Sequence, residues 1–224
     1  VETIQHLPFT DEGNIDVGKD LTMIALSTCG FCKRALRFLR DNNIAFRYVF
    51  FDELDSETKE NVKREISKRF KDKLAFPFLI IDDEESMVGF NEEVWRDRLG
   101  LKTGVASVSV TEPEYSEEEL DQEYEFVHNV ASKKDWELNK NDGFLRTLVE
   151  GLHKNRARYG YYLCPCRITN GSRQEDKDIV CPCKYARPDI EEYGHCYCAL
   201  YLSPQFAATG KTPSSIPERR NRGR

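Results

Sequence analysis

Apolar positions in the first hundred residues come in short runs whose period switches between that of a strand and that of a helix. Leu21 to Ser27 reads as a short buried strand. Phe31 to Asn42 has helical spacing, with Leu36 and Leu39 on one face. Ile44 to Phe51 alternates like a strand. Ser56 to Phe70 is a charged amphipathic helix for which Ser56 offers an N-cap hydroxyl. Phe78 to Ile81, following Pro77, is a third strand. Met87 to Phe90 is a fourth, and Glu92 to Leu99 closes with a helix. The order βαβαββα over residues 21–101 describes a small α/β unit with a mixed sheet.

The pattern then breaks. Lys102 to Val110 is rich in Gly, Ser, Thr and Val and has no helical period, so residues 102–113 read as a linker. Glu112 to Glu125 carries acidic residues and no basic ones, as a solvated linker and helix start do. Helical spacing resumes over Glu117 to Ser132 and Asp142 to Tyr159. Beyond Tyr162 the chain is aromatic and punctuated by Cys, Pro and Gly, which fits loops wrapped around a metal centre, and residues 114–208 read as a second, mainly α and loop-rich domain. Residues 1–20 read as a polar, disordered arm with neither the basic nor the apolar part of a secretory leader. Residues 209–224 read as a basic, disordered tail. There is no internal repeat.

Composition adds limits. A length of 224 residues suggests one or two domains, with 39% hydrophobic residues to fill ordinary cores and 32% charged residues for solubility. The net charge of −6 leaves no nucleic-acid footprint across the whole chain. Arg219, Arg220, Arg222 and Arg224 read as solvated charge rather than as a nucleic-acid contact. No apolar run approaches the ~18 residues that a membrane span requires. The expectation is a cytoplasmic protein without a membrane partner. Eight cysteines then become the strongest signal, because close-set cytosolic cysteines are more often catalytic or metal-binding than structural disulfides. Cys29 and Cys32 stand near the start; the other six lie between Cys164 and Cys198. Two chemical modules are implied.

Cys29-Gly-Phe-Cys32 falls between a predicted strand and a predicted helix. A helix N-terminus offers free N–H groups and the positive end of a dipole, which stabilise a thiolate. Cys29 is therefore expected to have a depressed pKa and to be the exposed nucleophile. Cys32, one turn in, is expected to be the less exposed resolving thiol, and Lys33 adds positive charge. Half of a zinc site is the rival reading, but no second CxxC lies nearby to complete it. These residues, with Phe76-Pro77 and Val88-Gly89-Phe90, resemble glutaredoxins over Leu21 to Leu101. The resemblance implies a thioredoxin-like fold and a cis Pro77 facing the dithiol and its substrate. It departs from the family in keeping one glycine of the later Gly-Gly turn. It departs again in lacking the usual Lys, where Ala25-Leu26-Ser27-Thr28 stands. Both departures favour a dithiol disulfide reductase that need not use glutathione.

The second set reads Cys164-Pro165-Cys166-Arg167, Cys181-Pro182-Cys183 and His195-Cys196-Tyr197-Cys198. Six thiols are more than one tetrahedral zinc takes, and zinc ribbons prefer wider pairs. Iron–sulfur clusters take four cysteines, which leaves two spare. Zinc and a disulfide knot remain the alternatives at this point. The three Cys-x-Cys pairs resemble the catalytic chain of ferredoxin:thioredoxin reductase over Glu114 to Ala208. So do Leu148-Val149-Glu150-Gly151-Leu152 before them and Ala199-Leu200-Tyr201-Leu202-Ser203-Pro204 after them. The spacing between pairs departs from the plant-type pattern, and the histidine of the last pair is displaced to His195, with Tyr197 between the cysteines.

The resemblance implies a 4Fe–4S cluster whose iron is held by Cys164, Cys181, Cys183 and Cys196, and an active-site disulfide between Cys166 and Cys198. In the family, one sulfur, here Cys198, is held by the cluster at the half-reduced stage, freeing Cys166 to attack the substrate. His195 is a candidate proton donor to a departing thiolate. The implied activity is a ferredoxin-dependent disulfide reductase that passes electrons to its own Cys29/Cys32 dithiol and on to protein disulfides. A non-enzymatic iron–sulfur or zinc sensor or assembly module is the alternative. Lys154, Arg156, Arg158, Arg167, Lys184 and Arg187 outnumber Glu175, Asp176 and Asp178, and form a candidate docking face for an acidic ferredoxin.

Overall fold

Five short strands organise the first part of the chain. The computed structural model describes residues 3–70, 73–101 and 115–220, and the chain divides into two compact units. The predicted linker, residues 102–113, lies outside the described residues. No helix among the described residues is long and apolar enough to cross a membrane.

In the N-terminal unit, β1 (Thr10–Glu12), β2 (Leu21–Ala25), β3 (Phe46–Phe50), β4 (Phe78–Ile81) and β5 (Glu85–Val88) form one sheet in the order β1-β3-β2-β4-β5. Every residue of β2 and β4 is buried and all but Thr22 are apolar, as in central strands covered on both faces; the Thr22 hydroxyl accepts from Arg47 Nε. β2 runs parallel to β3 and antiparallel to β4, so the sheet is mixed, as the βαβαββα pattern predicts. α1 (Gly30–Asp41) and α2 (Ser56–Arg69) follow β2 and β3, and α3 (Glu92–Arg98) follows β5. Phe38 of α1, Phe90 and Trp95 of α3 pack with centroids 5.0–6.3 Å apart, Trp95 edge to face with both phenylalanines, and close the core on that side.

Three expectations are corrected here. Ser56 is the first helical residue rather than the cap. Asp55 is the N-cap, and its carboxylate accepts from the Thr58 N–H. The strand expected at Met87 to Phe90 is shifted to Glu85–Val88, since Gly89 turns with φ 81°. The largest correction concerns residues 1–20. Thr10–Glu12 pairs antiparallel with β3, Ile15 bridges Ile44, and Ile4 and Leu7 are buried. β1 escapes a periodicity reading because it is short and polar, and it is held by its backbone ladder with β3 and by the Glu12 carboxylate, which accepts from Arg40 Nε and from a terminal nitrogen of the same guanidinium.

The C-terminal unit is mainly helical. α4 (Glu117–Lys134) begins with a capping box, Ser116 and Glu119 each accepting from the other's backbone N–H. Its buried face is Leu120, Val127 and Ala131, and it packs on α5 (Asp142–Tyr159), which buries Leu148, Val149 and Leu152. Asn141 caps α5 through the Phe144 N–H, and Gly160 ends it in the left-handed region at φ 79°. α6 (Ala186–Tyr193), α7 (Pro204–Ala208) and the short pair β6 (Glu137–Leu138) and β7 (Tyr201–Leu202) complete the unit. Residues 218–220 of the tail expected to be disordered pack on the unit instead, and Arg220 is buried.

If the N-terminal arm is part of the core, Ile4→Ala should cost about 2–5 kcal/mol, the range for truncating a buried aliphatic side chain. Urea unfolding followed by Trp95 fluorescence in a Trp136→Phe background reads this. A change below about 0.5 kcal/mol would mean that the arm is only a solvated leader.

Candidate functional site

The Cys29–Cys32 motif is placed by the end of β2 and the start of α1. The chain leaves the central strand at Ala25, and Cys29 is the residue immediately before the helix. The Leu26 N–H points at Cys32 Sγ at 3.4 Å. Between them the loop is tied down by a carboxylate that the sequence reading missed. Asp52 accepts from the Ser27 N–H at 2.7 Å and from its hydroxyl at 2.6 Å. Asp52 lies just past β3, the strand parallel to β2, so the sheet register delivers it to this loop. The Phe76–Pro77 peptide is cis, as expected. The expectation that Cys29 is the more exposed thiol is not met. Both cysteines are fully buried, and their backbone positions, not exposure, distinguish them.

The six remaining cysteines are drawn together by two short backbone links. A bridge between Leu163 and Val180 sets the first two pairs side by side, with the Cys164 N–H donating to Ile179 O and the Cys181 N–H to Tyr162 O. The third pair sits in a turn closed by the Cys196 N–H to Tyr201 O and the Ala199 N–H to Cys196 O, with Ala199 at φ 58°. Buried Asn139 pins that turn, its amide donating to Ala199 O at 2.8 Å. Gly194 opens the third segment at φ 83°, and a Cβ there would lie 2.5 Å from the Phe206 ring.

The result is a hollow lined by Cys164, Cys181, Cys183, Cys196 and Cys198, with Arg167, Tyr197 and Tyr201 among the other walls. The four expected ligands are all there. Cys166 is not in the lining, but its thiol is hydrogen-bonded to Cys198. Cys198 Sγ in turn lies 3.7 Å from Cys196 Sγ. The structure therefore brings together both expected groupings, the four ligands and the adjacent pair, with all eight cysteines as free thiols. Among the described residues, no three His, Cys, Asp or Glu side chains converge on a single ion position. The sulfurs are spread around a shared space instead. A soft, all-thiol donor set with no carboxylate in the walls fits an iron–sulfur cluster.

Electrostatics divide the sulfurs. Hydrogen bonds from the Cys183 and Cys198 thiols hold Cys164 well below the ordinary thiol value. Burial pushes Cys181 and Cys166 well above it. Such sulfurs ionise when a metal's charge offsets the cost of deprotonation. His195 is buried, and burial lowers its pKa. Its Nδ1 lies 2.9 Å from Cys196 O; a carbonyl only accepts, so Nδ1 carries the proton. The ring packs on Phe206 and is not among the walls of the hollow.

The docking face expected from sequence is thinner in the structure. Arg167 and Asp176 are buried, and Arg156 pairs with buried Glu123 at 3.0 Å. Lys184 and Arg187 are exposed.

A thioredoxin-like dithiol unit followed by a helical unit carrying six clustered cysteines is the class of chain that these features define. Residues 21–85 match the glutaredoxin family model, and residues 113–219 match that of the ferredoxin thioredoxin reductase catalytic beta chain. Among curated relatives, the ferredoxin-thioredoxin reductase catalytic chain of Synechocystis sp. is 30% identical over 81 residues, 35% of this chain and 65% of that one. The corresponding chain of Guillardia theta is 35% identical over 69 residues, 29% of this chain and 64% of that one. The chain thus spans just under two thirds of the length of these relatives. Two solved structures are also similar. One is the glutaredoxin from Methanosarcina mazei Go1, with 34% identity, 42% and 88% coverage of this and that chain, and a TM-score of 0.37. The other is the methanoredoxin of Methanosarcina acetivorans, with 40% identity, 40% and 90% coverage, and a TM-score of 0.36.

Removing the Asp52 clamp should be felt at the dithiol. Asp52→Ala leaves the Ser27 N–H and hydroxyl without their carboxylate, a loss of about 1.5–3 kcal/mol for hydrogen bonds to a charged group. Hydrogen exchange at Ser27 should accelerate accordingly. Unchanged exchange at that amide would show that the clamp does not hold the loop.

Proposed function

We propose that the chain is a ferredoxin-dependent disulfide reductase. In this reading Cys164, Cys181, Cys183 and Cys196 hold a 4Fe–4S cluster, Cys166 and Cys198 form the adjacent redox pair, and Cys29/Cys32 is the dithiol that acts on protein disulfides. The observation that carries it is the convergence of the four thiols on one hollow that Cys198 also lines, with the free Cys166 thiol in hydrogen-bonding contact with Cys198. The family matches over both regions support it. When bound, the cluster would supply electrons one at a time to a pair that needs two.

The chain's own residues account for the thiol steps. Reduced Cys166 attacks the Cys29 sulfur of a Cys29–Cys32 disulfide, and Cys32 leaves as a thiolate. Cys198 then attacks the Cys166 sulfur and releases Cys29. The Cys29/Cys32 pair has gained two electrons, and Cys166–Cys198 has become the disulfide, to be reduced again by two electrons from ferredoxin. His195, with its Nδ1 proton donated to Cys196 O and its ring against Phe206, would position Cys196 through that residue's carbonyl. Carrying both pairs on one chain makes the exchange intramolecular, set by an effective concentration rather than by encounter of separate molecules.

Replacing any of Cys164, Cys181, Cys183 or Cys196 by Ser should abolish or greatly weaken iron binding, while Cys166→Ser and Cys198→Ser retain it. Iron analysis after anaerobic purification checks this, and a Cys166→Ser chain as iron-poor as Cys181→Ser would mean that the ligands are misassigned. The double variant Cys32→Ser with Cys198→Ser lacks both resolving thiols. After mild oxidation it should accumulate a Cys29–Cys166 crosslink, seen as a peptide pair by mass spectrometry. Anaerobic reduction of a disulfide substrate by ferredoxin tests the whole reading; no turnover with an iron-loaded chain would overturn it.

A further inference from the structure

Arg167 has no part in the thiol steps, yet it is the most elaborately held side chain beside the cysteines. Its side chain is 0% exposed. One terminal nitrogen donates to Cys183 Sγ at 2.9 Å and lies 3.9 Å from Cys164 Sγ. The other faces buried Asp189 at 3.4 Å, and Nε donates to Glu218 at 2.9 Å. Its Cζ lies 4.3 Å from the Tyr197 ring centroid and 4.9 Å from that of Tyr185. Burial alone would depress its pKa, but the Cys164 and Cys183 sulfurs and the Glu218 carboxylate outweigh burial and raise it.

Glu218 arrives from the far end of the described chain, and the two residues after it anchor it there. Arg219 pairs with Asp189 at 2.6 Å and with Glu192. Arg220, itself buried, pairs with Asp178 at 2.9 Å and Asp176 at 3.3 Å and donates to Ile168 O. Three consecutive charged residues thus make five ion pairs with positions 167–192, on both sides of the second cysteine pair. A surface tail gains little from isolated pairs, whereas a buried guanidinium left without a partner is costly. A planar fork fixed from three directions also keeps one orientation, which a lysine cannot reproduce.

We propose that residues 218–220 are a strap that holds Arg167 against the sulfurs of Cys164 and Cys183, making Arg167 a positioning residue that tunes and retains the metal centre. The inference rests on the cluster reading above. A fixed positive charge beside thiolate ligands favours the more negative, reduced state, and an N–H directed at a ligand sulfur adds to that effect. Arg167 is one wall of the hollow and Glu218 holds it there, so release of the strap should open the centre to small chelators.

Three variants of the full chain test this: Arg167→Gln, Arg167→Lys, and a triple variant with Glu218→Gln, Arg219→Gln and Arg220→Gln. Arg167→Gln should lower the midpoint potential in an optical redox titration by about 59 mV or more, a tenfold shift of a one-electron equilibrium. Arg167→Lys should keep most of the potential but release iron to a chelator faster. The triple variant leaves every sulfur and Arg167 in place. It should release iron about tenfold faster or more, the scale of losing one hydrogen bond to a charged group. Full iron content with an unchanged potential in Arg167→Gln would overturn the tuning role, and wild-type iron release from the triple variant would overturn the strap. If Arg167→Gln does not fold, the triple variant decides alone. An unmodified chain that holds no iron and no sulfide would instead overturn the cluster reading beneath the proposal.

Discussion

In the cluster reading proposed above, one conflict governs the C-terminal unit: sulfur atoms would have to carry negative charge to bind a metal, and yet are buried around its site. Burial makes each thiolate costly and pushes the Cys166 and Cys181 thiols up. The fold answers with a cation that is itself buried, Arg167, 2.9 Å from Cys183 Sγ. That cation brings its own cost, and Asp189 and Glu218 offset it. This chain of compensations accounts for the packing of residues 218–220 on the unit and for the burial of Asp176 and Asp189. Asn155 of α5 ties down the segment before the first cysteines by donating to Leu163 O, and Asn139, next to β6, ties down the last by donating to Ala199 O.

The N-terminal unit solves a simpler problem. A central strand buried on both faces ends where a helix begins, and the dithiol sits at that junction. Asp52, carried in by the parallel neighbour strand, fixes the loop by accepting two hydrogen bonds from Ser27. The aromatic trio of Phe38, Phe90 and Trp95 holds the helix from beneath.

Much of this was legible in the amino-acid order. Strongly periodic segments announced themselves; Asp142–Tyr159 is a helix over the predicted bounds, and β4 occupies Phe78–Ile81. The cysteine pairs pointed to their own convergence because their chemistry requires it. What stayed hidden depends on partners distant in sequence. β1 is three polar residues whose only signal is a backbone ladder with Phe46–Tyr48. Arg167 counted as surface charge until its partners at positions 189 and 218 were known. Asp52 and Asn139 look like ordinary loop residues, and only the sheet register and the Cys196–Tyr201 turn give them work. The tail has the composition of a disordered segment, but composition does not reveal that buried carboxylates elsewhere need its arginines.

Metal and sulfide analysis of the anaerobically purified full chain tests the central claim most directly. The account predicts a brown protein with about four irons and four acid-labile sulfides per chain, the content of a single 4Fe–4S cluster on four cysteines. A colourless protein carrying about one zinc and no sulfide would contradict it, and would make the six cysteines a structural zinc site.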